Sequence, residues 1–207
     1  MQLYQMMIRG LLILLLAVTS FAQTSHVRVE YMKDVKKTKV EADFLYLTNT
    51  SDQFLQLQFH AVYKGDSLVK SPEVLGMTIF SLAKRTQYSN DVDLSATTDG
   101  EQWKIGTGTR AGMKGESKNG MDSYFSENRP GLGIQVPFPK TARVRNPNGD
   151  VNGLVMEWVE IKLKPEQITK LAAAKAIELH LGKNTVAFND THLQILKEFA
   201  AALTPQP

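Results

Sequence analysis

The chain has no cysteine among its 207 residues. That excludes a disulfide framework, a thiolate metal site, a cysteine nucleophile and a lipid anchor built on an N-terminal cysteine. Long apolar runs are also scarce. Leu11–Val18 with its flanks is the only one, and after Ala22 nothing approaches the roughly twenty residues that cross a bilayer as a helix. Histidine occurs four times, as His26, His60, His180 and His192, and none stands in an HxH or HExxH spacing. The sequence therefore holds no metal-ligand motif, and no cofactor is expected. An excess of charge of one sign is nearly absent as well, with 24 Lys and Arg against 21 Asp and Glu and a formal net charge of +3. Nucleic acid binding needs a concentrated basic face. The nearest candidate, Lys33, Lys36, Lys37 and Lys39, reads as a solvated loop or a guarded sheet edge.

What is present begins with an address. Residues 1–22 carry Arg9 as their only charge, then the apolar run, then Ser20-Phe21-Ala22 with small residues three and one before the break. This is the pattern of a secretory signal peptide, with cleavage expected near Ala22 and a product that is periplasmic or extracellular. The leader takes no acid with it, so the net charge falls to +2 over the remaining 185 residues. That length suits a single domain, 23–207, with a sizeable core.

Alternation of period two dominates the first two-thirds. In VRVEYMK, Val27, Val29 and Tyr31 share a face. In KVEADFLYL, Val40, Ala42, Phe44 and Tyr46 face one way. In FLQLQFHAVY, Leu55, Leu57, Phe59 and Ala61 point inward, and Gln56, Gln58 and His60 outward. These segments predict an antiparallel meander with one wet face. VLGMTIFSLA from Val74 is apolar on both faces and predicts a central strand. A short strand at Asp91–Leu94, a turn at 97–100 and alternation at Trp103 and Ile105 follow. Residues 106–133 hold seven of the fourteen glycines and predict a long Gly-rich loop. GIQVPF and ARVRN read as short strands, and NPNGD at 146–150 as a turn.

The last third changes period. LVMEWVEIKL is a long strand, and Pro165 opens a helix with Ile168, Leu171 and Ala172 on one stripe. AIELHLG and VAF form a hairpin around residues 182–185. Asn189 caps a final helix whose buried stripe is Leu193, Leu196, Phe199, Ala200 and Leu203, with Phe188 and Leu193 at the staple positions. The expected fold is α+β: mainly antiparallel β, as a two-layer sheet or sandwich, with two C-terminal helices packed on one face.

Chemistry-bearing patterns are weak. There is no GxSxG. Ser67 to Lys70 matches SxxK, but on a hairpin. GTGTRAG at 106–112 lacks both phosphate-loop spacings and has no strand-to-helix step around it. Asp91 and Asp93 share a strand face without the further oxygen ligands that calcium needs. Trp103 and Trp158 read as core fillers. No catalytic, cofactor-binding or metal-binding residue is assigned.

Leu171, Ala174, Ile177, Glu178, Leu181, Gly182, Leu193, Leu196 and Phe199 set out a helix, a strand ending in Leu-Gly, a hairpin and a closing helix. In this pattern the chain resembles a group of uncharacterised exported bacterial proteins. The resemblance implies a fold and an exported setting, and it carries no activity. The leading expectation is an exported non-enzymatic binding or envelope-associated module with a protein or small-molecule partner. A carrier would instead hold an apolar ligand in a cavity lined by Phe59, Phe80, Trp158 and Phe199. A hydrolase or calcium-dependent enzyme would bring together at least two of Asp91, Asp93, Asp99, His60 and His180.

Overall fold

The computed structural model describes residues 25–68, 71–114, 143–145, 147 and 153–203. The leader, GIQVPF, all of NPNGD except Pro147, and positions 115–133 of the glycine-rich segment lie outside the described residues.

Among the described residues, ten strands precede or interleave with two helices. They are β1 (Val27–Met32), β2 (Lys37–Ala42), β3 (Leu45–Asn49), β4 (Gln53–Lys64), β5 (Val74–Ala83), β6 (Asp91–Thr98), β7 (Glu101–Lys114) and β8 (Val155–Lys162). Helix α1 (Pro165–Ala173), β9 (Ile177–Leu181), β10 (Asn184–Ala187) and helix α2 (Asp190–Ala202) follow. All ten strands belong to one antiparallel sheet, in the order β1-β2-β4-β5-β8-β7-β6-β9-β10, with β3 also beside β4. The second layer is helical: α1 and α2 pack on each other, and α2 also packs on β1 and β2. The architecture is α+β, with the two C-terminal helices against the sheet.

The segment KVEADFLYL is not one strand. β2 pairs with β4 through Val40↔Ala61 and Glu41↔His60, whereas β3 pairs through Leu45↔Leu57. The register slips by one residue between them, at Asp43–Phe44. A one-residue slip exchanges the faces of the residues that follow, here up to a second shift between Tyr46 and Thr48. Leu45, rather than Phe44 or Tyr46, therefore enters the core, and Tyr46 is exposed.

The helix-side face is the apolar one. Val40, Leu57, Phe59, Met77, Ile79, Val159 and Ile161 line it from the central strands; Leu94 and Leu179 extend it, and Ile168, Leu171, Leu196 and Phe199 meet it from the helices. Phe59 and Phe199 stack with ring centroids 5.7 Å apart. Ile195 joins α2's buried set, while Ala200 and Leu203 are only half-buried.

The opposite face is not wet across the central strands. Phe54, Phe80, Leu82 and Met156 cluster there with Val144 and Leu154. On β4 the same face carries Gln56, Gln58 and His60, expected outward, and all three are buried; Gln58 is 9% and His60 2% exposed. Gln58 Nε2 donates to the Ala42 carbonyl at 3.1 Å. A buried amide without such a partner would cost several kcal/mol of desolvation, about 1–3 by mutational measures. His60 lies opposite Gly76, where an added Cβ would come within 3.2 Å of its Nε2 and 2.8 Å of the Ile161 carbonyl oxygen. Glycine at 76 leaves the imidazole room.

Glycines 106, 108 and 112 do not open a loop, because β7 continues to Lys114. A Cβ on Gly108 would fall 2.4 Å from Val159 Cγ1 and 2.6 Å from Ile161 Cγ1. Those β8 side chains occupy the space, so glycine marks close packing here rather than mobility. Within ARVRN, residues 143–145 are irregular rather than strand, and 142 and 146 lie outside the described residues. The β6–β7 turn is as expected, with Asp99 and Gly100 both at positive φ (51° and 91°), as a two-residue hairpin loop requires.

Helix ends follow local chemistry. Asn189 accepts from the His192 N–H at 2.9 Å, and His192 Nδ1 accepts from the Asn189 N–H at 3.4 Å. At α1, Gln167 accepts from the Lys164 N–H at 2.8 Å and donates to the Ile105 carbonyl at 2.7 Å, which ties the helix start to β7.

Candidate functional site

The most concentrated polar chemistry lies where the chain crosses from β5 to β6 past the ends of β8 and β7. Glu157 stands on the core face of β8, opposite Ser81, and is wholly buried. Its Oε1 accepts from Arg110 Nη1 at 3.1 Å and its Oε2 from the Gln87 N–H at 2.6 Å. Arg110 Nη2 donates to Asn90 Oδ1 at 3.1 Å. Between those anchors Tyr88 inserts into the core and its hydroxyl accepts from Asn184 at 3.3 Å. Burial pushes that hydroxyl well above the usual phenol range. Both Glu157 oxygens are engaged and shielded from solvent, so the group pins the crossover. In the sequence its signal was an acid in the apolar run LVMEWV, on the face of Val159 and Ile161.

Of the groups expected to converge in a hydrolytic or calcium site, Asp93, Asp99 and His180 are each held by other partners. Asp93 accepts from Lys104 at 2.8 Å and Thr107 at 2.7 Å, and the Lys104 hydrogen bond, first among its causes, holds its carboxyl below the usual range. Asp91 is exposed on the same strand. Asp99 instead accepts from the Lys175 and Ala176 N–H groups at 3.0 and 2.9 Å, anchoring the link from α1 to β9. His180 turns one ring nitrogen to Thr97 at 2.9 Å and the other to Thr185 at 3.2 Å. His60 lies four strands from Asp93, on the order of 19 Å along the sheet. Among the described residues no three His, Asp or Glu side chains gather as a metal site.

The remaining histidines serve the fold. His26 Nδ1 lies 3.0 Å from Asp43. His192 is buried at the first turn of α2, and desolvation, its larger cause, lowers its pKa against a backbone hydrogen bond with Tyr46. Of the lysine cluster, Lys33 and Lys36 sit in the β1–β2 turn, Lys37 pairs with Glu73 at 3.1 Å and Lys39 with Glu41 at 2.7 Å. Ser67 lies past the end of β4, and Lys70 outside the described residues.

The four aromatics proposed to line an apolar cavity do not share one. Phe59 and Phe199 fill the helix-side core, whereas Phe80 and Trp158 are cross-strand partners on the opposite face. Trp158 is buried; Trp103 is half-buried, donates to Thr98 at 3.0 Å and lies 4.8 Å beneath Lys170 Nζ. The candidate interaction site is instead an open groove of about 710 Å³ along α2, lined by Asp190, Leu193, Gln194, Lys197 and Glu198 with Ser25. Glu198 accepts from the His26 N–H at 2.8 Å, which holds its carboxyl below the usual range. The groove thus offers both charges beside an apolar floor.

No family model matches this chain, and neither does any curated protein or solved structure. Among the described residues no helix is long and apolar enough to cross a membrane.

Proposed function

We propose that this chain is an exported, non-enzymatic binding or envelope-associated module that meets a protein or small-molecule partner and does not bind nucleic acid. The observation that carries the reading is the open groove on α2. Its mixed lining suits a polar or peptide-like partner. The side chains best suited to catalysis support the reading from the other direction, because Glu157, Asp99 and His192 are engaged in contacts that hold the chain together. The alternative of an apolar carrier finds less support, since the Phe59–Phe199 stack fills the space between sheet and helices. Export rests on the leader pattern of residues 1–22.

Two measurements test this. Fractionation of the producing cell with N-terminal sequencing should find the protein outside the cytoplasm and starting at Gln23; an intact N-terminus in the cytoplasm contradicts export. A photo-crosslinking residue at Gln194 should yield a discrete adduct in the native compartment, and the same residue at Gln102, on the distant hairpin, should not. Equal labelling at both, or turnover of an ester, glycoside or phosphoester that is lost on Asp93→Asn or His180→Gln, contradicts the binding reading.

A further inference from the structure

The two ends of the sheet differ. β10 is four residues long and runs directly into α2. β1 is six residues long and, among the described residues, has no strand on its outer side. Unprotected edges of that length pair with other strands unless charge, proline or a bulge prevents it. β1 has no proline and keeps continuous register with β2. It also exposes apolar surface: Val29 is 53% and Tyr31 42% exposed, on the face shared with Val27. The other face carries Arg28 and Glu30, joined at 2.7 Å.

The hydrogen-bonding phase of the edge is fixed by its inner neighbour. The His26 carbonyl accepts from the Asp43 N–H at 2.8 Å, so even-numbered residues of this stretch direct their main chain to β2. Val27, Val29 and Tyr31 therefore turn their N–H and C=O groups outward; those of Val27 are held by Ser25 Oγ at 3.2 and 3.3 Å, an exposed contact that a pairing strand would have to replace. An antiparallel copy can dock only by setting outward residues against outward residues. Three central registers satisfy this within the strand. Centring on residue 28 sets Arg28 against Arg28, and centring on residue 30 sets Glu30 against Glu30. Centring on Val29 sets Arg28 against Glu30 twice, Val27 against Tyr31 twice, and Val29 against itself. That register alone matches opposite charges on one face and apolar side chains on the other.

We propose that β1 is a self-complementary edge through which two copies of this chain pair, β1 against β1 with Val29 on the two-fold axis, to form one sheet continuous across both. The interface is isologous, as closed homodimers are. Pairing covers Val29 and Tyr31, satisfies their outward main-chain groups and exchanges the Ser25 contacts of Val27 for strand hydrogen bonds.

Sedimentation velocity of the purified protein over a concentration series tests this. Wild type should shift from monomer to dimer. Arg28→Glu alone and Glu30→Arg alone set like charges opposite at both symmetry-related positions, and each should weaken the dimer at least about tenfold. Mixing the two single variants should restore a dimer of one copy of each, and the double exchange Arg28→Glu/Glu30→Arg should restore it in one chain. Thermal melts of the variants confirm that they fold, as exposed edge substitutions should allow. Wild type that stays monomeric to about 1 mM, single variants that dimerise as wild type does, or a mixture that fails to pair would each overturn the proposal.

Discussion

The two faces of β4, β5 and β8 are both buried, but with different materials. The helix-side face is mostly aliphatic and aromatic, with the buried Glu157 and Ser81 at one end, and is closed by Ile168, Leu171, Leu196 and Phe199. The opposite face mixes Phe54, Phe80 and Leu82 with Gln56, Gln58, His60 and Thr78. Burial of polar groups is tolerated where they find partners, as Gln58 does at Ala42. The difference teaches where interaction can occur. With both faces of the central strands inside, the accessible chemistry moves to the rim, to the β1 edge and the α2 groove.

The comparison is broken most severely by truncating its aromatic fillers. Phe199→Ala should lower unfolding free energy by about 4 kcal/mol in urea titration, since it empties a site enclosed by sheet and helix. Phe80→Ala should cost about 3 kcal/mol if its face is equally interior. A cost under about 1 kcal/mol at Phe80 would return that face to the surface. Glu157→Leu should destabilise by about 3 kcal/mol, because Arg110 loses its counter-charge and Gln87 its acceptor. Faster proteolysis within residues 84–90 should accompany it.

Smaller effects sharpen the contrast. Gln58→Leu keeps the volume and removes one hydrogen bond, so its unfolding free energy should change by about 1 kcal/mol. His192 carries a pH dependence. Its folded pKa is depressed below 6.5, so the unfolded chain takes up the proton first as pH falls. The contribution is whole above about pH 6.5 and is lost as pH falls through the lower folded value. Melting temperature should therefore drop more steeply from pH 7 to about pH 5 in wild type than in His192→Gln.

Much of the fold was legible because it followed periodicity and caps. The double-apolar β5, the Asp99-Gly100 turn, Pro165 at the start of α1 and Asn189 before α2 all announce themselves locally. The misread elements depended on partners distant in sequence. Alternation correctly placed Gln56, Gln58 and His60 on the face away from the helices, yet could not reveal that this side is buried too, with Val144 and Leu154 packed beside Phe54 and Phe80. The slip at Asp43–Phe44 shows only in pairing with β4. Gly106 and Gly108 looked like loop residues because the β8 side chains that crowd Gly108 lie about fifty positions away. The same holds for the site. The absence of a hydrolase motif was visible, whereas the α2 groove and the Glu157 anchor exist only after folding.

Because the chain lacks cysteine, single cysteines can report accessibility without background. Thiol-labelling rates of Gln58→Cys, Tyr31→Cys and Gln194→Cys under native conditions test the central claim, that the rim and not the central sheet is open, most directly. The claim predicts that the thiol at 58 reacts only as fast as the protein unfolds, while those at 31, at low protein concentration, and at 194 react at once. Labelling at 58 as rapid as at 194 would contradict it.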